Sequence, residues 1–379
     1  MKKKYIIFSL VTLVLLVALI TSFNYFKTTN TYIDDSVNNQ TKITKGISMN
    51  LEQTAGAGDY KTVTQSGWPT EGYKFNAELS RCENGSTLSW DDTKKAVIVS
   101  GNLSDKCYVY FDIYQPTLAE YIKSQYTGTQ GENGIYYHNS SLTNGAGDNS
   151  YRYAGASDSV NNYICLGSDV ATCPDANLFR IIGVFGDQTK VIRAKSVGDK
   201  EWGTNNSNTW SSSSLNTYLN GEYLTSLGTI ADKIATTTWK VGGNTSANIS
   251  GVVPKTAYQY EVGSSASTTT VDKKIGLMYV TDYYYSASPS AWTLVGYNSS
   301  DAAKDYRAAK TTNWLFSGQE WTISRNSGTT GNAFDVNSAG LVDYYNVSGS
   351  CAVRPSFNLL SSTTYVSGSG SMSNPIKVN

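Results

Sequence analysis

Hydrophobic and polar positions change their rhythm three times along this chain. It opens "MKKKYIIFSLVTLVLLVALITSFNYFK", with three lysines and then no charge over residues 5–26. That run exceeds the roughly 20 residues needed to span a hydrocarbon core and has no polar face. No small-x-small cleavage site follows it. It reads as a signal anchor or transmembrane helix over residues 1–26, with the lysines inside and residues 28–379 extracellular. The alternative is a cleaved signal and a secreted protein. Residues 27–45 are polar, lack periodicity and read as a stalk.

Over residues 46–114 the pattern turns to alternation. "STLSWDD", "KKAVIVSGN" and "DKCYVYFDIY" are separated by turn signals such as "ENGS". This predicts a small antiparallel, Ig-like β-sandwich acting as a spacer.

At Pro116 the rhythm changes again. "PTLAEYIKSQY" sets Leu118, Tyr121, Ile122 and Tyr126 at helical spacing behind Thr117 as a cap. A second domain over residues 116–379 starts here. "NLFRIIGVFGDQTKVIRA" predicts a hairpin. "NTWSSSSLNTYLNGEYL" predicts a helix capped by Ser213 or Ser214, which Gly221 ends early. Short strand-like pieces follow, including "KIGLMYVTDYYY", "NWLF", "EWTISRN", "NAFDVNSAGLVDYY" and "CAVRPSFNLL". The fold class this implies is α+β.

Composition narrows the function. Charged residues are 16% of the chain and balance to zero, so nothing drives phosphate binding and nucleic acid is an unfavourable partner. The single histidine, His138, excludes a two-histidine zinc site. No metal and no cofactor is expected. Five cysteines allow two local disulfides, Cys82–Cys107 and Cys165–Cys173, and leave Cys351 over.

The order of "TWSSSSLNTYLNGEYL", "KIGLMYVTDYYY", "NWLFSGQEWTISRN", "AFDVNSAGLV" and "CAVRPSFNL" resembles a bacterial secreted domain family of unknown function. The resemblance covers roughly residues 165–379 and brings no assigned activity. Beyond it, the domain is similar to the C-type-lectin-like fold shared with formylglycine-generating enzymes. That implies a sheet core whose long loops display a binding surface. The chain lacks the paired thiols of a formylglycine-type oxidase and the calcium signatures of sugar-binding lectins.

Candidate chemistry is sparse. Asp335 and Asp343 are the right residue types for paired hydrolytic carboxylates, but Asp at strand ends more often caps turns. His138 sits in a polar loop, "GENGIYYHNSS", and reads as a neutral surface-loop residue; the alternative, a catalytic base, has no nucleophile motif beside it. The consecutive Tyr283, Tyr284 and Tyr285, read as a strand, must face both sides, so one is exposed unless covered. With Trp292, Trp314 and Trp321 they are the candidate binding aromatics, set against the alternative of core packing. In "CAVRPSFNLL", Pro355 marks a break in a ladder. Arg354 beside it is expected to be structural, donating to freed carbonyls or to a carboxylate such as Asp335. Cys351 is expected to be a buried thiol.

The leading expectation is a membrane-anchored surface protein with an adhesin-like head that binds an extracellular glycan or protein. The alternatives are an envelope hydrolase using carboxylates and a structural or pilus-like subunit.

Overall fold

The computed structural model describes residues 46–64, 67–69, 72–102, 104–298 and 300–379. The chain divides into two units, one ending at Gln115 and one spanning Pro116–Asn379. It is 33% strand and 20% helix, so sheets carry the architecture. The α+β arrangement expected with a membrane helix at its start is corrected accordingly. Among the described residues no helix is long and apolar enough to cross a membrane. The expected anchor over residues 1–26 and the stalk over residues 27–45 lie outside the described residues. The single-pass location, with residues 28–379 extracellular, therefore has no structural support.

Among the described residues the first unit has seven strands: β1 (Ile47–Glu52), β2 (Tyr60–Val63), β3 (Tyr73–Phe75), β4 (Arg81–Cys82), β5 (Thr87–Asp91), β6 (Ala96–Ser100) and β7 (Cys107–Ile113). β7 pairs antiparallel with β3 and β4 but parallel with β1. The wholly antiparallel sandwich expected from the alternation is thus corrected to a mixed sheet accompanied by a separate β5–β6 hairpin. Alternation reports which face is buried and not strand direction, so the parallel pair was invisible in it. Phe111 anchors the core, with Phe75, Trp90 and Trp68 ringing it at centroid distances of 5.6–5.9 Å. The Cys82–Cys107 disulfide ties β4 to β7.

The second unit opens with α1 (Leu118–Ser124). Thr117 accepts from the Glu120 amide, while Glu120 accepts from the Thr117 amide. This reciprocal cap satisfies two donors that the first turn leaves open, and the helix buries Leu118, Ala119 and Ile122. Next come β8 (Ile135–Tyr137), β9 (Tyr151–Tyr153), β10 (Tyr163–Cys165), β11 (Leu178–Phe185), β12 (Gln188–Arg193) and β13 (Asp199–Glu201). β11 and β12 are the hairpin that the sequence predicts, joined antiparallel with a bulge between Ile181 and Gly183. α2 (Ser214–Tyr218) is capped by the Ser213 hydroxyl. It runs into a π turn, Leu219–Tyr223, that contains Gly221.

The remaining strands and the longer helices are β14 (Thr237–Lys240), α3 (Pro254–Glu261), β15 (Thr270–Lys273), β16 (Ile275–Gly276), α4 (Val280–Tyr285), β17 (Glu320–Arg325), β18 (Asn332–Val336), β19 (Val342–Asn346), β20 (Ser350–Ala352), β21 (Ser356–Asn358), β22 (Tyr365–Ser367) and β23 (Ile376–Val378). One nine-stranded sheet runs β16-β21-β12-β11-β10-β23-β22, with β9 and β8 branching from β11. A five-stranded sheet runs β13-β20-β17-β18-β19.

"CAVRPSFNLL" links these two sheets. Cys351 lies in β20 of the five-stranded sheet, and Ser356–Asn358 form β21 of the nine-stranded one. Val353, Arg354 and Pro355 are the crossing point, where a residue without an N–H costs no ladder bond. Arg354 is buried there. Its guanidinium grips Glu320, with Nε 2.7 Å from Oε2, and also donates to the Leu315 carbonyl. The partner is Glu320 and not Asp335.

Candidate functional site

A cavity of about 210 Å³ lies over the nine-stranded sheet in the second unit. Its floor is a row of residues in register across four strands. Arg152 of β9 faces Gly183 of β11, Gly183 faces Lys190 of β12, and Lys190 faces Asn358 of β21. Paired residues on neighbouring strands project to one side of a sheet, which gathers Arg152, Lys190 and Asn358 beneath a common space. Gly183 leaves a gap in the row, since a side chain there would collide with the Tyr151 carbonyl at 2.4 Å.

Elements from elsewhere close the walls. Asp282, in the first turn of α4, accepts from the Tyr279 amide, so one carboxylate both caps the helix and reaches the cavity. Trp239 of β14 lies flat against Gly276, where an added Cβ would meet the indole at 2.9 Å. Tyr258 of α3, Tyr279 and Phe185 complete an aromatic surround.

The charged groups form one chain of contacts. Lys190 Nζ lies 2.5 Å from Asp282 Oδ2. Arg152 lies 3.7 Å from Asp282 Oδ1 and 2.7 Å from Asp148 Oδ2. The Tyr258 hydroxyl donates to Asp148 at 3.0 Å. The Lys190 ammonium also sits 4.5 Å from the Tyr279 ring centre and 5.2 Å from that of Trp239, within cation–π range.

Burial sets the protonation tendencies. It pulls the Lys190 ammonium below its ordinary value, and Asp282 works against that pull. Burial also opposes the charge on Arg152, but Asp148 and Asp282 more than offset it. Burial acts to raise the Asp148 carboxyl as well. The Arg152 guanidinium and the Ser150 hydrogen bonds outweigh it and hold Asp148 well below the usual carboxylate range.

The residues singled out from the sequence lie elsewhere or are sealed. Tyr283, Tyr284 and Tyr285 belong to α4, so the strand expected there is corrected to a helix. All three rings are buried against neighbours such as Tyr306 and Trp292. Trp292, Trp314 and Trp321 are each at most 2% exposed, and none presents its ring to solvent. Each indole N–H is spent on a carbonyl, of Ala287, Tyr153 and Lys200 respectively. Among the described residues the exposed tyrosines are instead Tyr297, Tyr344 and Tyr345.

His138 is fully buried, so its reading as a surface-loop residue is corrected. Its Nδ1 accepts from the Ala146 amide, and its ring packs on Tyr285 and Trp292. Burial pushes its imidazole well below the ordinary value, which keeps it neutral.

Asp335 and Asp343 do face each other across β18 and β19, but neither lines the cavity. Cys165–Cys173 and Cys82–Cys107 are the two disulfides, and Cys351 is free and buried. Among the described residues no group of His, Cys, Asp and Glu is placed to hold a metal.

Sequence reasoning did not single out Asp148, Arg152, Lys190, Trp239, Tyr258 or Tyr279. One signal was present. Lys190 is a charged residue within "TKVI", whose other residues are buried in β12.

Residues 186–361 match the model of a domain of unknown function, DUF6273. The match begins at the β11–β12 turn and takes in Lys190, Trp239, Tyr258, Tyr279, Asp282 and Asn358, whereas Asp148 and Arg152 precede it. No curated protein matches the chain. No solved structure matches it either, and nothing shows the C-type-lectin-like, formylglycine-generating-enzyme-like head that the sequence led us to expect. What the comparisons establish is a domain of unknown function over residues 186–361.

Proposed function

We propose that the second unit is a ligand-binding module whose site is the cavity over Arg152, Lys190 and Asn358. One observation carries the reading: two cations and two carboxylates are gathered around an open space that aromatic side chains wall. Ionic groups taken from water are costly, and an apolar cluster of similar volume serves stability as well or better. Their convergence on a cavity is the arrangement of a polar recognition site.

The volume restricts the occupant. Pockets for drug-sized ligands run to roughly 300–1,000 Å³, and this one is about 210 Å³. It suits a single sugar unit or another molecule of that size. Of the glycan and protein ligands expected from the sequence, this favours the glycan side. The contact surface moves from the aromatic loops to this cavity.

A two-carboxylate hydrolase is supported less well. Such a mechanism needs one carboxyl kept protonated as the acid. In the cavity Asp148 is held ionised and Asp282 lies against two cations.

The test is nuclear magnetic resonance of the full chain with a panel of monosaccharides, neutral and acidic. The probe is the indole N–H of Trp239, assigned with Trp239→Phe. Saturable movement of that signal by a panel member supports the reading. A signal that stays fixed against the whole panel overturns it.

A further inference from the structure

The hydrogen-bonding inventory of the cavity is lopsided. Asp148 is saturated: Oδ1 accepts from the Ser150 amide and hydroxyl, and Oδ2 from Arg152 and Tyr258. Asp282 Oδ2 accepts from both Lys190 and the Tyr279 amide. The donors are not used up. An ammonium has three N–H groups and a guanidinium five. Among the described residues Lys190 donates to Asp282 alone. Arg152 donates through Nε to Ser150 and through one terminal nitrogen to Asp148. Its other terminal nitrogen stands 3.7 Å from Asp282, beyond hydrogen-bond reach. These two cations, 5% and 3% exposed, therefore keep spare donors where water is scarce.

The opposite need appears one strand away. Asn358 donates its amide N–H to the Thr237 hydroxyl at 3.0 Å, yet its Oδ1 is buried without a partner. It faces Lys190 directly across β21 and β12. A buried acceptor left unpaired is costly, so this oxygen asks for a donor.

We infer that the cavity recognises a small carboxylate bearing a hydroxyl or amino group, with Lys190 and Arg152 taking the carboxylate and Asn358 Oδ1 taking the donor. This rests on the ligand-binding reading above and names the ligand class. Acidic sugars and amino acids share that chemistry. The flat faces of Trp239 and Tyr279 are apolar surface against which either class can lie.

The experiment uses the full chain and four probes: glucuronate, glucose, glutamate and glutamine. Affinity is read by titration calorimetry and by the Trp239 indole signal. We expect glucuronate or glutamate to bind, with its neutral counterpart at least about tenfold weaker, as hydrogen bonds to a charged group imply. Which acid binds distinguishes the sugar source from the amino-acid source.

Lys190 variants are open to the objection that they disturb folding, so the deciding variant is Asn358→Asp. An aspartate there can accept from the Thr237 hydroxyl, which in the parent accepts from Asn358, and it sets a negative charge beside the ligand's donor group. It is expected to weaken glucuronate by at least about tenfold and to tighten glutamate, whose ammonium it would face, with little change in melting temperature. Equal binding of acid and neutral probes overturns this inference while leaving the ligand-binding reading intact. Binding of the acid unchanged in Asn358→Asp also overturns it. No movement of Trp239 by any of the four probes overturns it as well, and it removes the ligand-binding reading only if the wider monosaccharide panel is equally silent.

Discussion

Arg354 and Glu320 meet as a two-pronged pair where the chain crosses from one sheet to the other. Nε reaches Oε2 at 2.7 Å and a terminal nitrogen reaches Oε1 at 2.5 Å, with the side chains 4% and 1% exposed. The fork also donates to the Leu315 carbonyl. Three buried acceptors, the two Glu320 oxygens and the Leu315 carbonyl, are thus satisfied by one planar group. Removing one member of a buried pair strands the other, at about 3–5 kcal/mol. Arg354→Ala is expected to lose stability of that order. Arg354→Lys keeps the charge but not the fork, and should lose about half as much. Urea midpoints of the two variants decide. Equal midpoints would mean that charge without the fork contributes nothing, and a lysine variant as stable as the parent would mean that the fork geometry contributes nothing.

Asp335 points to a pH effect of known sign. It is 1% exposed, and only Oδ2 is bonded, to the Gln319 amide. Burial first, and Asp343 across the strand second, raise its carboxyl from 3.8 to about 6. The folded protein therefore holds this proton more tightly than the unfolded chain. Its contribution to stability is full below pH 3.8 and is lost as the pH rises to about 6. Asp335→Asn keeps an oxygen for Gln319 and removes the charge. The variant should be more stable than the parent above pH 6, on the order of 2 kcal/mol, and gain little at pH 4. Melting temperatures across that range check it. An advantage independent of pH would reject ionisation as the cause.

Cys351 neighbours Asp335 electrostatically. Burial first, then Asp335 and Asp199, push its thiol up to about 12. Thiolates and not thiols react. The native protein should therefore resist an alkylating reagent at pH 8, and label at one site once unfolded without reductant. Stoichiometric labelling of the native chain would show that the β20 region opens.

The sequence made some of this legible. Alternation and turn signals placed the β11–β12 hairpin, and helical spacing with a cap placed α1 and the start of α2 to within one serine, Ser213 or Ser214. A proline in an otherwise strand-like run identified the crossing at Arg354. These are local signals, set by neighbours in the chain. The partner of Arg354 was not local. Glu320 arrives because β17 pairs parallel with β20 at Glu320 and Ala352, and no periodicity encodes that register. The tyrosine run failed for a different reason. Three aromatics favour a strand by propensity, but tertiary packing buries all three on a six-residue helix whose first turn Asp282 caps. The cavity was the least legible feature. Its floor needs β9, β11, β12 and β21 side by side, and each strand contributes only one residue to the row.

The Lys190–Asp282 pair allows a sharper test of how the cavity's charges balance. With Asp148 and Arg152, the cluster is two cations and two anions, so it is neutral. Asp282→Asn leaves two buried cations and one anion. Lys190→Met leaves two anions and one cation, with Asp282 still facing Arg152. Each single change strands a charge and should cost about 3 kcal/mol or more. The double variant Lys190→Met with Asp282→Asn restores neutrality, because Arg152 and Asp148 remain paired at 2.7 Å. The asparagine oxygen can still accept from the Tyr279 amide and cap α4. The double variant should therefore be more stable than Asp282→Asn alone, with a coupling of about 1–3 kcal/mol in the cycle. Additive losses would show instead that the two side chains act separately, Asp282 through the α4 cap and Lys190 through its contacts with Trp239 and Tyr279. Stability restored in this way should not bring back affinity for an acidic probe, because the cavity then has no ammonium to offer.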